Sequence, residues 1–320
     1  MKIVAADIGG TKSIFSLSDT DELFNLLYLV KYKSNDFKDF YSLLDRFYKD
    51  AGLHADEEVV LSLALPGVVD NNRSELTNLS WVIDKNNIKD KFNVNKIILI
   101  NDFQAAVLGV DHVSKDECVV LNEGQAEVDG VRVVVGAGTG LGLAWSVSGN
   151  GLQQPFSTEG GHIDFAPVNN LQIQLLDYLM PVYGHVSYER LLSGDGLVNI
   201  YRFLCGASAS SSAVVIDAAW VNQQAADNDA KAIDAIKLFC DIYGAYIGNL
   251  GLLFKPGKGI FVAGGIAPKI LPWIRSDQFR NSYLQKGRMT KVLEKIQVNL
   301  ITDERLGLFG AITVAMSTQE

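Results

Sequence analysis

The chain contains few cysteines, with only Cys118, Cys205 and Cys240 among its 320 residues. Three widely separated thiols cannot build a disulfide framework, and none lies in the close spacing of a zinc cluster. A chain of this length buries about three quarters of its unfolded surface, so it needs neither device to fold. We therefore expect a protein of the reducing cytoplasm.

Basic clusters and long apolar runs are also missing. The net charge is −9, and no segment gathers five or six Lys and Arg residues, which disfavours nucleic-acid binding. The longest uncharged run, 133–158, is long enough to span a bilayer, but its Gly, Ser, Asn and Gln residues are typical of loops and strands. Asp7 interrupts the apolar start of the chain, which therefore does not read as a signal peptide. Neither secretion nor membrane insertion is expected.

The apolar pattern predicts an α/β protein, and the length of 320 residues favours two domains. Strands are predicted at 3–8, 14–18, 59–65, 97–100, 131–135, 143–147 and 260–263, and helices at 37–51, 103–110, 171–180, 187–192, 230–254 and 306–316. Ser187 is the expected N-cap of the helix 187–192. The strand 97–100 is apolar throughout, so we expect it to be buried on both faces.

Three glycine turns each follow a short apolar strand, at 7–11, 136–142 and 264–265. Glycine lets the backbone approach a ligand closely and lets successive N–H groups point at an anion, and Thr11 and Thr139 add hydroxyl donors. Neither the Walker pattern nor the dinucleotide-binding spacing is present. One such turn alone is better explained by a structural hairpin. Three in this order, with Asp7 just before the first, predict a phosphate-binding site of another architecture.

Two groups of polar residues could carry chemistry. Asn101 and Asp102 end a strand, where an open α/β sheet presents ligand groups, and Asp102 could act as a general base. The spacing alone is equally consistent with a cap on the following helix. Glu159, His162 and Asp164 could ligate zinc, but Gly160 and Gly161 argue against the helix that such a motif requires.

The ordered motifs ADIGGTK (6–12), ILINDF (98–103), GAGTGLG (136–142), EGGHIDFAP (159–167), GHVSYERLLSGDGLVNIY (184–201) and VAGGI (262–266) resemble the bacterial glucokinase family. That family belongs to the actin/hexokinase/Hsp70 ATPase superfamily. The resemblance implies an α/β, two-lobed actin-like ATPase (ribonuclease H-like) fold with a cleft between its lobes. The expected domains are a small α/β domain, 1–108 plus 303–320, and a larger α+β domain, 109–302.

The resemblance also implies roles for individual residues. Asp102 would be the catalytic base, and Asp7 would sit beside Mg²⁺, through water. The residues expected to bind glucose are Asn78, Asn101, Asp102, Glu159, His162 and Glu189. The residues expected to bind ATP are Ala6, Asp7, Ile8, Gly9, Gly10, Thr11, Gly138, Thr139, Gly140, Gly264 and Gly265. His185 is interpreted as structural. Lys12, where this branch of the family commonly has a smaller polar residue, could approach the phosphates, although a solvated surface lysine is favoured.

The activity that follows is ATP-dependent phosphorylation of D-glucose to glucose 6-phosphate, the first step of glycolysis, by a cytoplasmic homodimer. A kinase for mannose, glucosamine or hexoses in general is the alternative, because spacing does not describe the pocket at the sugar 2-position. A sugar-sensing repressor of the related ROK group would need a DNA-binding domain before the first glycine turn, and that turn begins at residue 7. A chaperone-like ATPase would not need the sugar-binding set.

Overall fold

The computed structural model describes residues 2–19, 24–54, 56–70, 72–76, 79–149, 152–208 and 216–317. The chain divides into two compact units. Unit 1 comprises Met1–Ser114, Pro155–Ser157 and Asp303–Glu320, and unit 2 comprises Lys115–Gln154 and Thr158–Thr302. The sequence predicted domain boundaries after residues 108 and 302. The predicted domains therefore differ from the two observed units mainly at 109–114.

The strands are β1 (Lys2–Ile8), β2 (Lys12–Asp19), β3 (Leu26–Lys33), β4 (Val59–Leu65), β5 (Arg73–Leu76), β6 (Trp81–Asp84), β7 (Val94–Asn101), β8 (Cys118–Asn122), β9 (Gly130–Ala137), β10 (Leu141–Gly149), β11 (Leu152–Thr158), β12 (Ile260–Ala263) and β13 (Val298–Ile301). The helices are α1 (Phe40–Asp50), α2 (Lys85–Lys91), α3 (Asp102–Gly109), α4 (Asn170–Tyr183), α5 (Gly194–Leu204), α6 (Ala218–Ala226), α7 (Ala230–Phe254), α8 (Leu271–Ile274), α9 (Asp277–Leu284), α10 (Thr290–Leu293) and α11 (Leu306–Ser317). Single turns of 3₁₀ helix connect several of them.

Unit 1 is built on a five-stranded sheet in the order β3-β2-β1-β4-β7. β1 runs antiparallel to β2 and parallel to β4, and β4 runs parallel to β7. One face of the sheet carries an aromatic core that includes Phe15, Phe40 and Phe47. Helices α3 and α11 pack against each other, and α11 lies on β1 and β4. The carboxyl ends of the parallel strands β1, β4 and β7 therefore share one edge of this sheet.

Unit 2 contains a six-stranded sheet in the order β11-β10-β9-β12-β13-β8. β9 and β12 are parallel neighbours, with Gly136 opposite Ala263, so both strands end at the same edge. The 25-residue helix α7 is apolar along most of its length and lies in the core with α5 and α9. It ends at Lys255, which adopts a left-handed conformation (φ 42°) before Pro256. No helix within the described ranges is long and apolar enough to cross a bilayer.

Several predicted elements match the structure closely. The predicted bounds of β4, α7 and β12 are those observed, and β1, β10 and α11 differ by one or two residues at an end. Helix α1 begins at Phe40 rather than at Phe37, because the Asp39 carboxylate accepts a 2.7 Å hydrogen bond from the Ser42 N–H and caps the helix there. The strands β3, β5, β6, β8, β11 and β13 were not predicted.

The predicted helix 187–192 is wrong. Only a single 3₁₀ turn forms there, at Tyr188–Arg190, and the Ser187 side chain makes no capping bond. The helix of this region is α5, whose first turn is capped by Ser193 Oγ, which accepts from the Gly196 N–H at 3.1 Å. Its glycine-rich start has low helix propensity, which concealed the helix in the sequence.

The expectation that the strand at 97–100 is buried on both faces is also wrong. β7 is the edge strand of its sheet, where Asn95 and Lys96 are exposed and Ile98 and Leu99 are only half-buried. An apolar run at a sheet edge is thus indistinguishable in sequence from one at the centre.

Candidate active site

The first glycine turn joins β1 to β2 at the edge of the unit 1 sheet. The Gly9 N–H donates a 3.0 Å hydrogen bond to the Lys12 carbonyl oxygen and closes the turn. Ala6 and Ile8 are buried on the side of β1 that faces the aromatic core, whereas Thr11 at the tip is exposed. Lys12 forms an ion pair of 2.6 Å with Glu304, which also pairs with Lys31. The Lys12 ammonium group is therefore engaged with a carboxylate of its own unit.

Asp7 precedes this turn and lies against the first turn of α11. A Cβ atom on Gly307 would stand only 2.5 Å from Asp7 Oδ2, so the carboxylate occupies the space that any other residue at 307 would need. Burial raises the pKa of Asp7 to about 6, and Lys12 opposes that shift. The contact with Gly307 was not predicted, since nothing in the sequence relates residues 300 positions apart.

Asn101 and Asp102 join β7 to α3. Asn101 Oδ1 accepts hydrogen bonds from the N–H groups of Phe103 (3.0 Å) and Gln104 (3.1 Å), and its Nδ2 donates to the Gly67 carbonyl (3.0 Å). Asn101 is thus the N-cap of α3, the alternative that the spacing had left open. Asp102 Oδ1 also accepts from the Phe103 N–H at 2.9 Å.

The Asp102 carboxyl group is held in an environment that favours proton transfer near neutral pH. Burial raises its pKa to about 7, and the Asp7 carboxylate contributes to the rise against the hydrogen bond from Phe103. A carboxylate whose pKa lies near the working pH is a good general base, because it is both ionised and basic enough to take a proton. Asn101 accepts two of the N–H groups at the start of α3, and Asp102 accepts one of the same two.

The second glycine turn joins β9 to β10 in unit 2. The Gly138 N–H donates to the Gly140 carbonyl at 2.8 Å, and the Gly138 carbonyl accepts from the Gly194 N–H at 2.8 Å. Gly194 is the first residue of α5, so the beginning of that helix rests on the turn. The third glycine turn follows β12, where Gly264 has φ 85° and the Ile266 N–H donates to the Ala137 carbonyl at 3.2 Å. The second and third turns therefore lie together at one edge of the sheet.

Three predicted sugar-binding side chains meet beside the second turn. His162 Nε2 lies 3.9 Å from Glu159 Oε2 and 3.9 Å from Glu189 Oε1. Glu159 precedes the single 3₁₀ turn Gly160–His162, and His162 ends it. The Tyr246 hydroxyl holds this turn by donating to the Gly160 carbonyl at 2.9 Å. The Glu189 carboxylate also accepts from the Leu141 N–H at 2.9 Å. The Glu189 carboxylate therefore lies against both His162 and the second glycine turn.

The structure distributes the remaining expected site residues as follows. Unit 1 holds Ala6–Thr11 with Asn101 and Asp102, and unit 2 holds Glu159, His162, Glu189, the second turn and Gly264–Gly265. Asn78 lies outside the described residues. His185 Nε2 lies 2.9 Å from Asp164 Oδ1, and both side chains are exposed. Within the part of the chain that the structure describes, no three His, Cys, Asp or Glu residues form a set of metal ligands.

The two mixed sheets and the glycine turns at their edges are those of a sugar kinase of the actin-like ATPase fold. The glucokinase family model matches residues 4–318. The glucokinase of Nostoc sp. is 37% identical over 338 aligned positions, which cover 98% of each chain, and that of Hahella chejuensis is 34% identical with 99% of this chain and 97% of the relative covered. The crystal structure of a glucokinase from an Antarctic psychrotroph superposes with a TM-score of 0.82 at 29% identity, covering 100% of this chain and 99% of that one. The chain belongs to the glucokinase family, whose members phosphorylate glucose.

Proposed function

We propose that this chain transfers the γ-phosphoryl group of ATP to the 6-hydroxyl of D-glucose and so catalyses the first step of glycolysis. The observation that carries the proposal is the Asp102 carboxyl group, whose pKa is raised to about 7 at the carboxyl end of β7. A sugar hydroxyl is a poor nucleophile, and a carboxylate within hydrogen-bond reach can take its proton as the bond to phosphorus forms.

In the proposed mechanism, Asp102 accepts the proton of the 6-hydroxyl while that oxygen forms its bond to the γ-phosphorus. The bond between the γ-phosphorus and the bridging oxygen of ATP breaks at the same time, so the products are glucose 6-phosphate, ADP and a protonated Asp102. Asn101 is assigned to a neighbouring hydroxyl of the sugar, which it would contact through the Nδ2–H that is not bonded to the Gly67 carbonyl. Since its amide oxygen already caps α3, the amide is held in one orientation.

The nucleotide is assigned to the three glycine turns. Backbone N–H groups of Gly9–Thr11 and Gly138–Gly140 would hold the phosphates, with Gly264 and Gly265 beside the adenosine. Such donors stabilise the charge that spreads over the phosphoryl oxygens in the transition state. A ROK glucokinase from Streptomyces griseus, with a TM-score of 0.67 at 20% identity over 99% of this chain and 100% of that one, was solved with glucose and AMPPNP, an ATP analogue.

The residues around Asp7 fit a magnesium ion. Asp7 and Asp102 are two carboxylates whose pKa values are both raised by burial, and a bound cation would offset the cost of ionising them. Mg²⁺ prefers oxygen ligands and keeps several waters, so one carboxylate together with ATP phosphates suffices to hold it. When bound, the ion neutralises charge on the phosphates.

Glucose is assigned to Asn78, Asn101, Asp102, Glu159, His162 and Glu189. Carboxylate and imidazole groups can accept hydrogen bonds from vicinal hydroxyls, and a polar set of this kind rejects ligands that leave it unpaired. We further assign 1–108 with 303–320, and 109–302, to two domains. The proposed setting is the cytoplasm, in keeping with three free cysteines, and the proposed assembly is a homodimer.

A coupled assay of ADP release with a panel of hexoses tests the proposal. Glucose should give the highest kcat/KM, and the product should be the 6-phosphate. Preference for mannose or glucosamine would replace the glucose assignment with the related-hexose alternative. Absence of turnover with every hexose, in a folded protein that binds ATP, would contradict the proposed activity.

A further inference from the structure

The first glycine turn is held by a buried serine that lies outside it. Ser34 follows β3 and has no exposed surface. Its Oγ donates a 2.7 Å hydrogen bond to the Gly9 carbonyl oxygen, and its backbone N–H donates a 3.1 Å hydrogen bond to the Thr11 carbonyl oxygen. One residue therefore holds both ends of the turn 9–11.

A second buried serine extends this contact into a chain. Ser13 Oγ lies 3.0 Å from Ser34 Oγ, and Ser13 is also fully buried. A hydroxyl carries a single proton, and that of Ser34 is given to Gly9, so Ser13 is the donor to Ser34. Consecutive hydrogen bonds polarise one another, which strengthens the bond to the turn.

These bonds determine where the turn presents its donors. A trans peptide unit is planar, and its N–H points opposite to its C=O. Because Ser34 fixes the direction of the Gly9 carbonyl, it also fixes the Gly10 N–H, which points away from the buried serine. The bond to the Thr11 carbonyl fixes the Lys12 N–H in the same way. Donors that are oriented before the ligand arrives need no reorganisation in the transition state.

We propose that Ser34 is a positioning residue for ATP, which aims the backbone donors of the first glycine turn at the phosphates. The inference rests on the proposed function, since it requires that this turn bind phosphate. The ion pair between Lys12 and Glu304 also ties the turn to its unit, but both side chains are about half exposed, and such pairs contribute little. Apart from the backbone bond that closes the turn, the buried serine is therefore its main restraint.

Ser34→Ala tests the proposal, with Ser62→Ala as its matched control. Ser62 is a fully buried serine of β4 in the same sheet, and its hydroxyl has no hydrogen-bond partner among the described residues. Ser34→Ala should raise the KM for ATP by roughly tenfold and change the KM for glucose less than twofold. Ser62→Ala should leave both KM values near those of the parent enzyme. Equal KM values for ATP in the two variants would overturn the proposal.

Ser13→Ala supplies a second variant that keeps the contact between Ser34 and Gly9. It removes only the donor to Ser34, so the KM for ATP should rise by about two- to threefold, between the values for Ser62→Ala and Ser34→Ala. If Ser34→Ala does not fold, the comparison of Ser13→Ala with Ser62→Ala decides. A KM for ATP in Ser13→Ala equal to that in Ser62→Ala then overturns the proposal. A parallel rise in both KM values with a lower Tm would show general damage and would also overturn it.

Thr11→Val separates failure of this inference from failure of the proposed nucleotide site. Thr11 is exposed, so the substitution removes a hydroxyl donor at the turn without disturbing the core. A raised KM for ATP in Thr11→Val with an unchanged value in Ser34→Ala would leave the nucleotide site in place and refute the role of Ser34. Unchanged values in both variants would refute the role of Ser34 and show that the Thr11 hydroxyl does not bind ATP, whereas a parent enzyme that binds no ATP by calorimetry would contradict the nucleotide site itself.

Discussion

The Glu189 carboxylate accepts a 2.9 Å hydrogen bond from the Leu141 N–H, directly after the second glycine turn. A Cβ atom on Gly140 would stand 2.5 Å from the same carboxylate oxygen, so the close approach depends on glycine there. The other oxygen, Oε1, lies 3.9 Å from His162 Nε2. One side chain therefore contacts both the turn assigned to ATP and the group assigned to glucose.

Glu189→Gln should affect glucose and spare ATP. The amide oxygen of Gln can still accept from the Leu141 N–H, but its NH₂ group replaces an acceptor for sugar hydroxyls with a donor. We expect the KM for glucose to rise by about tenfold or more, which corresponds to about 1.4 kcal/mol, with the KM for ATP changed less than twofold. Steady-state kinetics with each substrate varied in turn measures both values.

Glu189→Ala is the control, because it removes both contacts. Its KM values for ATP and for glucose should both rise. An unchanged KM for glucose in Glu189→Gln would remove this residue from the sugar site, and an unchanged KM for ATP in Glu189→Ala would show that the bond to Leu141 does not matter for the turn.

The fall of kcat/KM at acid pH, the acid limb of the pH profile, should reflect protonation of Asp102. Because the pKa of Asp102 is raised to about 7 and the base must be ionised, kcat/KM for glucose should fall below pH 7 and approach a tenfold loss per pH unit. The residual rate of Asp102→Asn should lack this limb. If the limb persists in that variant, it belongs to another group.

Gly307→Ala should weaken ATP binding without unfolding the protein. The added Cβ would stand 2.5 Å from Asp7 Oδ2 and 2.8 Å from its Cγ, so the carboxylate must move. Alanine favours a helix over glycine, so lost stability is not the expected cause of lost activity. We expect the KM for MgATP to rise by roughly tenfold, with glucose binding by calorimetry unchanged.

Gly149→Ala is the matched control for this substitution. Gly149 ends β10 in an exposed position, and no atom lies within 4 Å of the place where its Cβ would stand. Its kinetics should equal those of the parent enzyme. A Gly307→Ala variant with the same kinetics would mean that the position of Asp7 is not critical for the nucleotide.

The parts of the site that were predictable from the sequence are those with local chemistry. A strand followed by glycines can be recognised from about ten consecutive residues. All three glycine turns lie at strand ends as predicted. The helix α7 was predictable for the same reason, since its apolar residues extend over 25 positions up to Pro256. The Asn101 cap was one of two alternatives, because a residue between a strand and a helix fits both a cap and a ligand.

The parts that were not predictable depend on contacts between distant segments. Gly307 contacts Asp7, which lies 300 residues earlier in the chain. Ser34 contacts Gly9, which lies 25 residues earlier. Neither residue lies in a recognisable motif, since a single Ser or Gly is compatible with almost any environment. Glu189 was identified by resemblance, but the helix predicted around it was wrong. A 3₁₀ turn and the first turn of a helix have nearly the same local sequence pattern.

Asp102→Asn is the decisive test of the proposed base. The substitution keeps the side-chain volume and the acceptor for the Phe103 N–H, but it cannot take the hydroxyl proton. General-base removal costs about 10²–10⁴ in rate, and we expect kcat near the upper end because the residue also orients the nucleophile. The raised pKa means that ionising Asp102 destabilises the folded state increasingly from about pH 4 to pH 7, so at pH 8 the variant should melt no lower than the parent. Calorimetry should still detect glucose binding. A variant that unfolds would identify Asp102 as a structural carboxylate, and one that keeps a tenth or more of its activity would show that another group accepts the proton.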